Sequence, residues 1–163
     1  IEDGTTFEEN ALIKASTIAG QTGFPSMSDD SGLCVKSLGG DPGVYSADWA
    51  GPNRDFSIAI NKLKKRIDSI DSNNMGASFV CTLCIAWPDG HYEFTKGEVK
   101  GKISFPPRGK KGFGYDPVFI PFIQPSKESK LTYGEMDVEF KNKTSHRSAA
   151  FSVLLKKCFP KKL

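Results

Sequence analysis

Nothing in this sequence approaches the roughly 20 consecutive apolar residues that a membrane-crossing helix needs, and no signal-peptide pattern opens it. A soluble, cytoplasmic protein without a membrane partner is the expectation. Histidine is scarce, with two in 163 residues, and of the four cysteines, Cys34, Cys81, Cys84 and Cys158, the Cys81-x-x-Cys84 spacing alone invites a disulfide or zinc reading. The one close pair, Cys81 and Cys84, lies in "ASFVCTLCIAW" (77–87), whose apolar run predicts a buried strand. Side chains three apart on a strand point to opposite faces, which excludes a shared metal or a bridge unless a bulge intervenes. Isolated core thiols in a reducing compartment remain. Net charge is only +3, so no nucleic-acid partner is required, and Lys156, Lys157, Lys161 and Lys162 read as the solvated end of a helix. Repeats and linkers are absent too. With 38% hydrophobic and 25% charged residues, the chain reads as a single globular domain spanning 1–163.

The residues present suggest helices interleaved with strands. Thr5 and Thr6 can cap a helix whose apolar face is Phe7, Ala11, Ala15, Ile18 and Ala19 and which Gly20 would stop; Asn10 and Lys14, four apart, share a face of it. "FPSMSDDSGLCVKSL" (24–38) then offers a strand to about Ser28, a polar turn and a second short strand. "GGDPGVYSADWAG" (39–51) reads as an ordered loop with exposed Tyr45 and Trp49. Asn53 is placed to cap a helix carrying Phe56, Ile60, Leu63 and Ile67 at helical spacing, with "KLKKR" as its wet face. Two strands, 78–87 and 91–99, are joined through "PDG", a hairpin signal. The stretch 104–121 breaks regular structure before a short apolar strand, and Ser145 can cap a last amphipathic helix ending in lysines.

Three stretches could carry chemistry. In "SMSDDSGL" (26–33), Asp29 and Asp30 are adjacent like charges, which either water screens or a cation relieves. Hard divalent cations take one or two carboxylates, with water and phosphates completing the shell, but a turn with Asp capping backbone amides accounts for "DDSG" as well. In "RGKKGFGYDP" (108–117), glycines bracket Phe113, which suits close approach of a flat ligand to a stacking ring, or simply a loop whose aromatics pack inward. In "KNKTSHR" (141–147), His146 and Arg147 occupy the first turn of a helix, where donors could meet an anion or the polar edge of a 6-oxo purine, or only solvent. "GEVKGKI" (97–103) is not a phosphate-binding P-loop, because its spacing is wrong and no Ser or Thr follows its lysine.

Taken together, "FEENALIKA", "SDDSGLCVKSLGGDPGVYSADWAG", "GFGYDPVF" and "KNKTSHR" resemble, in order and spacing, the inosine triphosphate pyrophosphatases, with "PRGKKGFGYDP" and "YGEM" closest to bacterial members. The resemblance covers nearly the whole chain. It implies an elongated α/β fold in two lobes, with a mixed twisted sheet, flanking helices and an active cleft between the lobes, assembled as a homodimer. It also implies hydrolysis of ITP, dITP and XTP to the monophosphate and pyrophosphate with Mg2+ as cofactor. Carried over residue by residue, it makes Asp30 the catalytic carboxylate and a metal ligand and Glu2 a second ligand, with Asp29 supporting the site. Ser31 would touch substrate and Lys14 would reach phosphate. Phe113 would stack on the base, Gly114, Tyr115 and Asp116 would line the nucleoside, and Lys141, His146 and Arg147 would recognise the purine edge.

The family opens with a strand and a Thr-x-Asn-x-x-Lys loop that grips the triphosphate. Here the chain starts at Ile1 and enters a helix at once, which reads as an N-terminally incomplete chain. Two other readings are kept: a related nucleotide pyrophosphatase of the septum-inhibitor-like family, and a nucleotide- or nucleic-acid-binding protein without catalysis. The clustered helical glutamates of a Nudix hydrolase are absent.

Overall fold

The computed structural model describes residues 3–70 and 73–158. Along them run α1 (Phe7–Thr22), β1 (Ser26–Val35), α2 (Phe56–Asp68), β2 (Gly76–Ala86), β3 (Tyr92–Ile103), β4 (Phe119–Pro121), α3 (Val138–Thr144) and α4 (His146–Cys158). The chain divides into two compact units, one made of Ile1–Ser31, Val80–Glu98 and His146–Leu163, the other of Gly32–Phe79 and Val99–Ser145. The described strands form one sheet in the order β1-β2-β3-β4. β4 runs antiparallel to β3, with Phe119 opposite Ile103. The α/β class is as expected, but the described sheet is antiparallel rather than mixed. The cause is topological: each strand pairs with its neighbour in sequence, and none of these pairs is a parallel crossover.

In the first unit β2 is the central layer, and its alternation sorts the packing. Cys84 and Ala86 face the alanine stripe of α1 (Ala11, Ala15, Ala19), while Cys81, Leu83 and Ile85 face Ala150 and Leu154 of α4. The two thiols therefore lie in different clusters, as strand geometry required, and both are free. Thr6 caps α1 in a full capping box with Glu9, and the helix ends at Gly23 in the left-handed region (φ 71°). Gly20, expected as the stop, is an interior residue of the helix, because the apolar stripe continues to Ala19 and a left-handed residue is first supplied at Gly23. Ile18, assigned to the apolar face, is exposed. The β2–β3 hairpin closes through Trp87 N–H to the His91 carbonyl (2.8 Å), with Gly90 at φ 91° supplying the "PDG" turn. On α4, Phe151, Val153 and Leu155 are exposed and only one narrow stripe is buried, so the helix is less amphipathic than expected.

The second unit holds the larger core. Leu33 and Val35 of β1 and Phe79 of β2 pack with Ile60, Leu63 and Ile67 of α2 and with Tyr115, Phe119, Tyr133 and Met136. Each fully buried aliphatic such as Leu63 contributes roughly 1.5–3 kcal/mol. Asp55, not Asn53, caps α2, since its carboxylate accepts the Ser57 N–H at 2.9 Å. Trp49 is partly buried and carries the Lys62 ammonium 4.6 Å above its ring, whereas Tyr45 is exposed as expected. The short helix α3, capped by Asp137, carries Lys141 and had no counterpart in the sequence reading. Seven residues rich in lysine show too little apolar periodicity to mark a helix.

Candidate functional site

β1 is one continuous strand through "SMSDDSGLCV", not two strands around a turn. Consecutive side chains therefore point to opposite faces, and this decides the surroundings of the adjacent aspartates. Asp30 faces α1, where the Asn10 amide donates to its Oδ2 (3.3 Å) and the Lys14 ammonium meets its Oδ1 (3.2 Å). The i, i+4 spacing that put Asn10 and Lys14 on one helix face is what delivers both donors. Asp30 is buried, with 9% of its surface exposed, so an uncompensated charge there would be costly. Asp29 faces α4, where its Oδ2 accepts from Arg147 Nε (3.1 Å) and from the Ser31 hydroxyl (2.8 Å). Asp30 thus meets the Lys14 cation on one face of the strand and Asp29 the Arg147 cation on the other. The Cys81 thiol lies 4.0 Å from Asp29. Burial pushes its pKa up, a hydrogen bond with Ser31 pulls against this, and the Asp29 charge adds to the rise, so Cys81 is a buried neutral thiol rather than a nucleophile.

The first turn of α4 is fixed by β3. Gly97 lies against it so closely that a methyl group there would overlap the His146 carbonyl oxygen and the Ala150 nitrogen. Thr95 donates its hydroxyl to the Ala150 carbonyl (3.1 Å). Here a strand glycine marks close backbone approach. His146 is buried at the helix start and Arg147, the next residue, is half exposed.

In the second unit "GFGYDP" folds around the Asp116 carboxylate. Asp116, 3% exposed, accepts the Phe113 N–H at 2.7 Å and pairs with the Lys141 ammonium. Gly112 is left-handed (φ 75°), and a side chain there would occupy the place of the Asp116 carboxylate, so this glycine makes room for an internal ion pair. The Lys141 ammonium also lies 5.1 Å from the Phe113 ring centre and 5.2 Å from that of Tyr133. Phe113 is 63% exposed, a presented aromatic face. Tyr115 is buried in the core, edge-on to Phe56, and donates its hydroxyl to the Ser46 carbonyl (3.0 Å). Burial drives both Tyr115 and Tyr133 far above the usual phenol range, the Asp116 charge adding to the effect on Tyr133.

Comparison with known proteins assigns the chain to a family. The Ham1 family model matches residues 1–157. The chain belongs to the Ham1 family. Its curated relatives include the dITP/XTP pyrophosphatase of Rhodospirillum centenum, 47% identical over 97% of this chain and 76% of that protein. The dITP/XTP pyrophosphatase of Rhizobium meliloti is 46% identical over 96% of this chain and 78% of its own length. Among solved structures, a HAM1 protein from Coxiella burnetii superposes with a TM-score of 0.88 at 37% identity, over 97% of this chain and 79% of that one. The Ham1 protein of Staphylococcus aureus gives a TM-score of 0.88 at 35% identity, covering 99% and 81%.

Against this Ham1 fold, Lys14 and Asp30 are in direct contact, as are Asp116 and Lys141, and Ser31 and Arg147 meet on Asp29. Gly114 forms the turn after Phe113 with φ 65°. Glu2, expected as a metal ligand, and the lysines at 161 and 162 lie outside the described residues. No helix among the described residues is long and apolar enough to cross a membrane. Three contacts escaped sequence reasoning: Asn10 on Asp30, Asp29 on Arg147, and Tyr133 under Lys141. Reading 26–35 as one strand would have parted Asp29 from Asp30 by alternation without naming their partners.

As to a metal, no group of three or more His, Cys, Asp or Glu side chains gathers among the described residues. Magnesium is rarely held in an all-protein cage and more often by one or two carboxylates with phosphate and water, so the hard oxygens of Asp30 fit it and the neutral thiols do not.

Proposed function

We propose that this Ham1 protein hydrolyses dITP, XTP and ITP to the nucleoside monophosphate and pyrophosphate. The observation that carries the reading is the buried Asp30 carboxylate held between the Asn10 amide and the Lys14 ammonium, in a chain whose relatives bear the name dITP/XTP pyrophosphatase. In this reading Asp30 orients a water against the α-phosphorus and takes its proton. The oxygen–phosphorus bond forms as the bond from the α-phosphorus to the bridging oxygen breaks, and pyrophosphate departs with that electron pair. The Lys14 ammonium, withdrawn from Asp30, meets phosphate oxygen charge, and Ser31 touches substrate. Positioning and charge stabilisation in a partly desolvated site supply most of the acceleration. Mg2+ would be held by Asp30 and Glu2 and, when bound, would neutralise charge on the phosphate oxygens.

Phe113 offers its exposed face to the purine, while Gly114, Tyr115 and Asp116 form the turn against the nucleoside. Lys141, His146 and Arg147 donate to the polar edge. Donors suit a 6-oxo purine and disfavour adenine, whose 6-amino group is itself a donor. A homodimer belongs to the same proposal and is checked by light scattering. The decisive experiment measures pyrophosphate release from dITP, XTP, ITP, GTP and ATP with and without Mg2+. Release from dITP and XTP well above ATP, dependent on the cation, supports the reading. Nucleotide binding without release would replace it with a non-catalytic binding protein.

A further inference from the structure

The adjacent aspartates of β1 divide between two tasks. Asp30 looks toward α1 and its amide and ammonium donors, whereas Asp29 looks toward α4. A straight strand cannot bring both carboxylates to one ion, because their Cα–Cβ bonds leave opposite faces of the sheet. What Asp29 does hold is Arg147, through Nε at 3.1 Å, and Ser31 donates its hydroxyl to the same carboxylate oxygen at 2.8 Å. A guanidinium carries its five N–H donors in one rigid plane, so a bond at Nε sets the orientation of the whole fork. The backbone beneath it is set independently, by the contact of Gly97 with the first turn of α4.

We infer that Asp29 is a positioning residue: it fixes the plane of the Arg147 guanidinium for recognition of the purine edge and is not a ligand of the catalytic metal. The inference rests on the pyrophosphatase reading for its consequence in catalysis, though the Asp29–Arg147 contact stands without it. Ser31 belongs to the same device, since its hydroxyl proton is directed to Asp29. Two neighbouring residues thus serve the two ends of one substrate, Asp30 the phosphates and Asp29, through Arg147, the base.

The test compares Asp29→Asn, Arg147→Lys and the double variant. Asp29→Asn keeps an accepting oxygen but strips the charge behind this hydrogen bond, on a pair that is half exposed, and raises KM for dITP by about three- to fivefold. Over the same change kcat and the Mg2+ concentration for half activation stay within about twofold. Arg147→Lys, which cannot present the planar fork, raises KM similarly, and adding Asp29→Asn to it has little further effect. A large rise in the half-activating Mg2+ concentration in Asp29→Asn, or additive losses in the double variant, would overturn the inference. A readout that needs no turnover is the 15N–1H resonance of Arg147 Nε–Hε, assigned by its loss in Arg147→Lys. The inference requires it to be slow to exchange in the parent protein and fast in Asp29→Asn, and an unchanged exchange rate refutes it. Absence of pyrophosphate release from the parent protein would remove the pyrophosphatase reading while leaving this second test intact. Should Asp29→Asn fail to fold, Ser31→Ala, which removes one donor from Asp29, must speed Arg147 Nε–H exchange in the same direction.

Discussion

Gly97→Ala adds a single methyl group, and its effect follows from one contact. The new Cβ would overlap the His146 carbonyl oxygen and the Ala150 nitrogen and stand 3.0 Å from the Ala149 Cβ. These are backbone atoms of α4 and the start of a helix whose inner stripe already packs on β2, so no flexible side chain can yield. Relief requires the first turn of α4 to withdraw on the order of 1 Å. Overpacking of this kind costs about 1–3 kcal/mol. At about 2–4 °C per kcal/mol for a chain of this size, the melting temperature falls by roughly 2–12 °C. The same withdrawal carries His146 and Arg147 away from the purine edge, so KM for dITP rises by about fivefold or more while kcat changes little. The assay pairs thermal unfolding with steady-state hydrolysis of dITP, and uses Gly101→Ala as control. There the methyl presses on the Ile120 carbonyl, far along the chain from α4, so stability falls but the folded protein keeps its KM. A Gly97→Ala protein with parental melting and parental KM would refute the account of how α4 is placed.

Tyr115→Phe removes the donor to the buried Ser46 carbonyl and should lower stability by about 1–3 kcal/mol in chemical denaturation, with little change in the ring packing against Phe56. Lys141→Met strips the ammonium from a carboxylate that is 4% exposed, and a loss of about 3–5 kcal/mol is expected. Lys64→Met, which breaks an exposed i, i+4 pair with Asp68, should leave the denaturation midpoint nearly unmoved. Acid should destabilise the fold in a defined direction. Glu135 is held below the usual carboxylate range by the Thr132 N–H with help from Arg108, Glu9 by the Thr5 N–H, and Asp137 by the Phe140 N–H. Groups lowered in the folded state contribute fully above their unfolded pKa, so stability declines as pH falls from about 4, and Glu135→Gln should flatten that slope in melting curves.

The elements with strong local signals were legible in the sequence. The Thr6 cap, the alanine stripe of α1, the spacing of Ile60, Leu63 and Ile67, and the "PDG" hairpin each follow from short-range rules, and each is present. The opposed thiols of β2 followed from strand parity alone. The same rule applied to "SMSDDSGL" would have parted the two aspartates. The polar run Ser28–Ser31 hid it, because serine and aspartate favour turns when no tertiary partner is known. Donors from α1, just upstream, and from α4, far along the chain, make a strand of that run acceptable. Gly112 carries a role that composition does not show, since it makes room for the Asp116 carboxylate. Such internal partners are fixed by packing across the fold, which local composition does not encode.

The most direct test of the central claim is Asp30→Asn, assayed for pyrophosphate release from dITP and, in parallel, for dITP binding by calorimetry. The variant keeps the size and the Asn10 contact surface of Asp30 but cannot take a proton. Release should fall to background while binding persists within about tenfold. Turnover at the parental rate by the folded variant would contradict it.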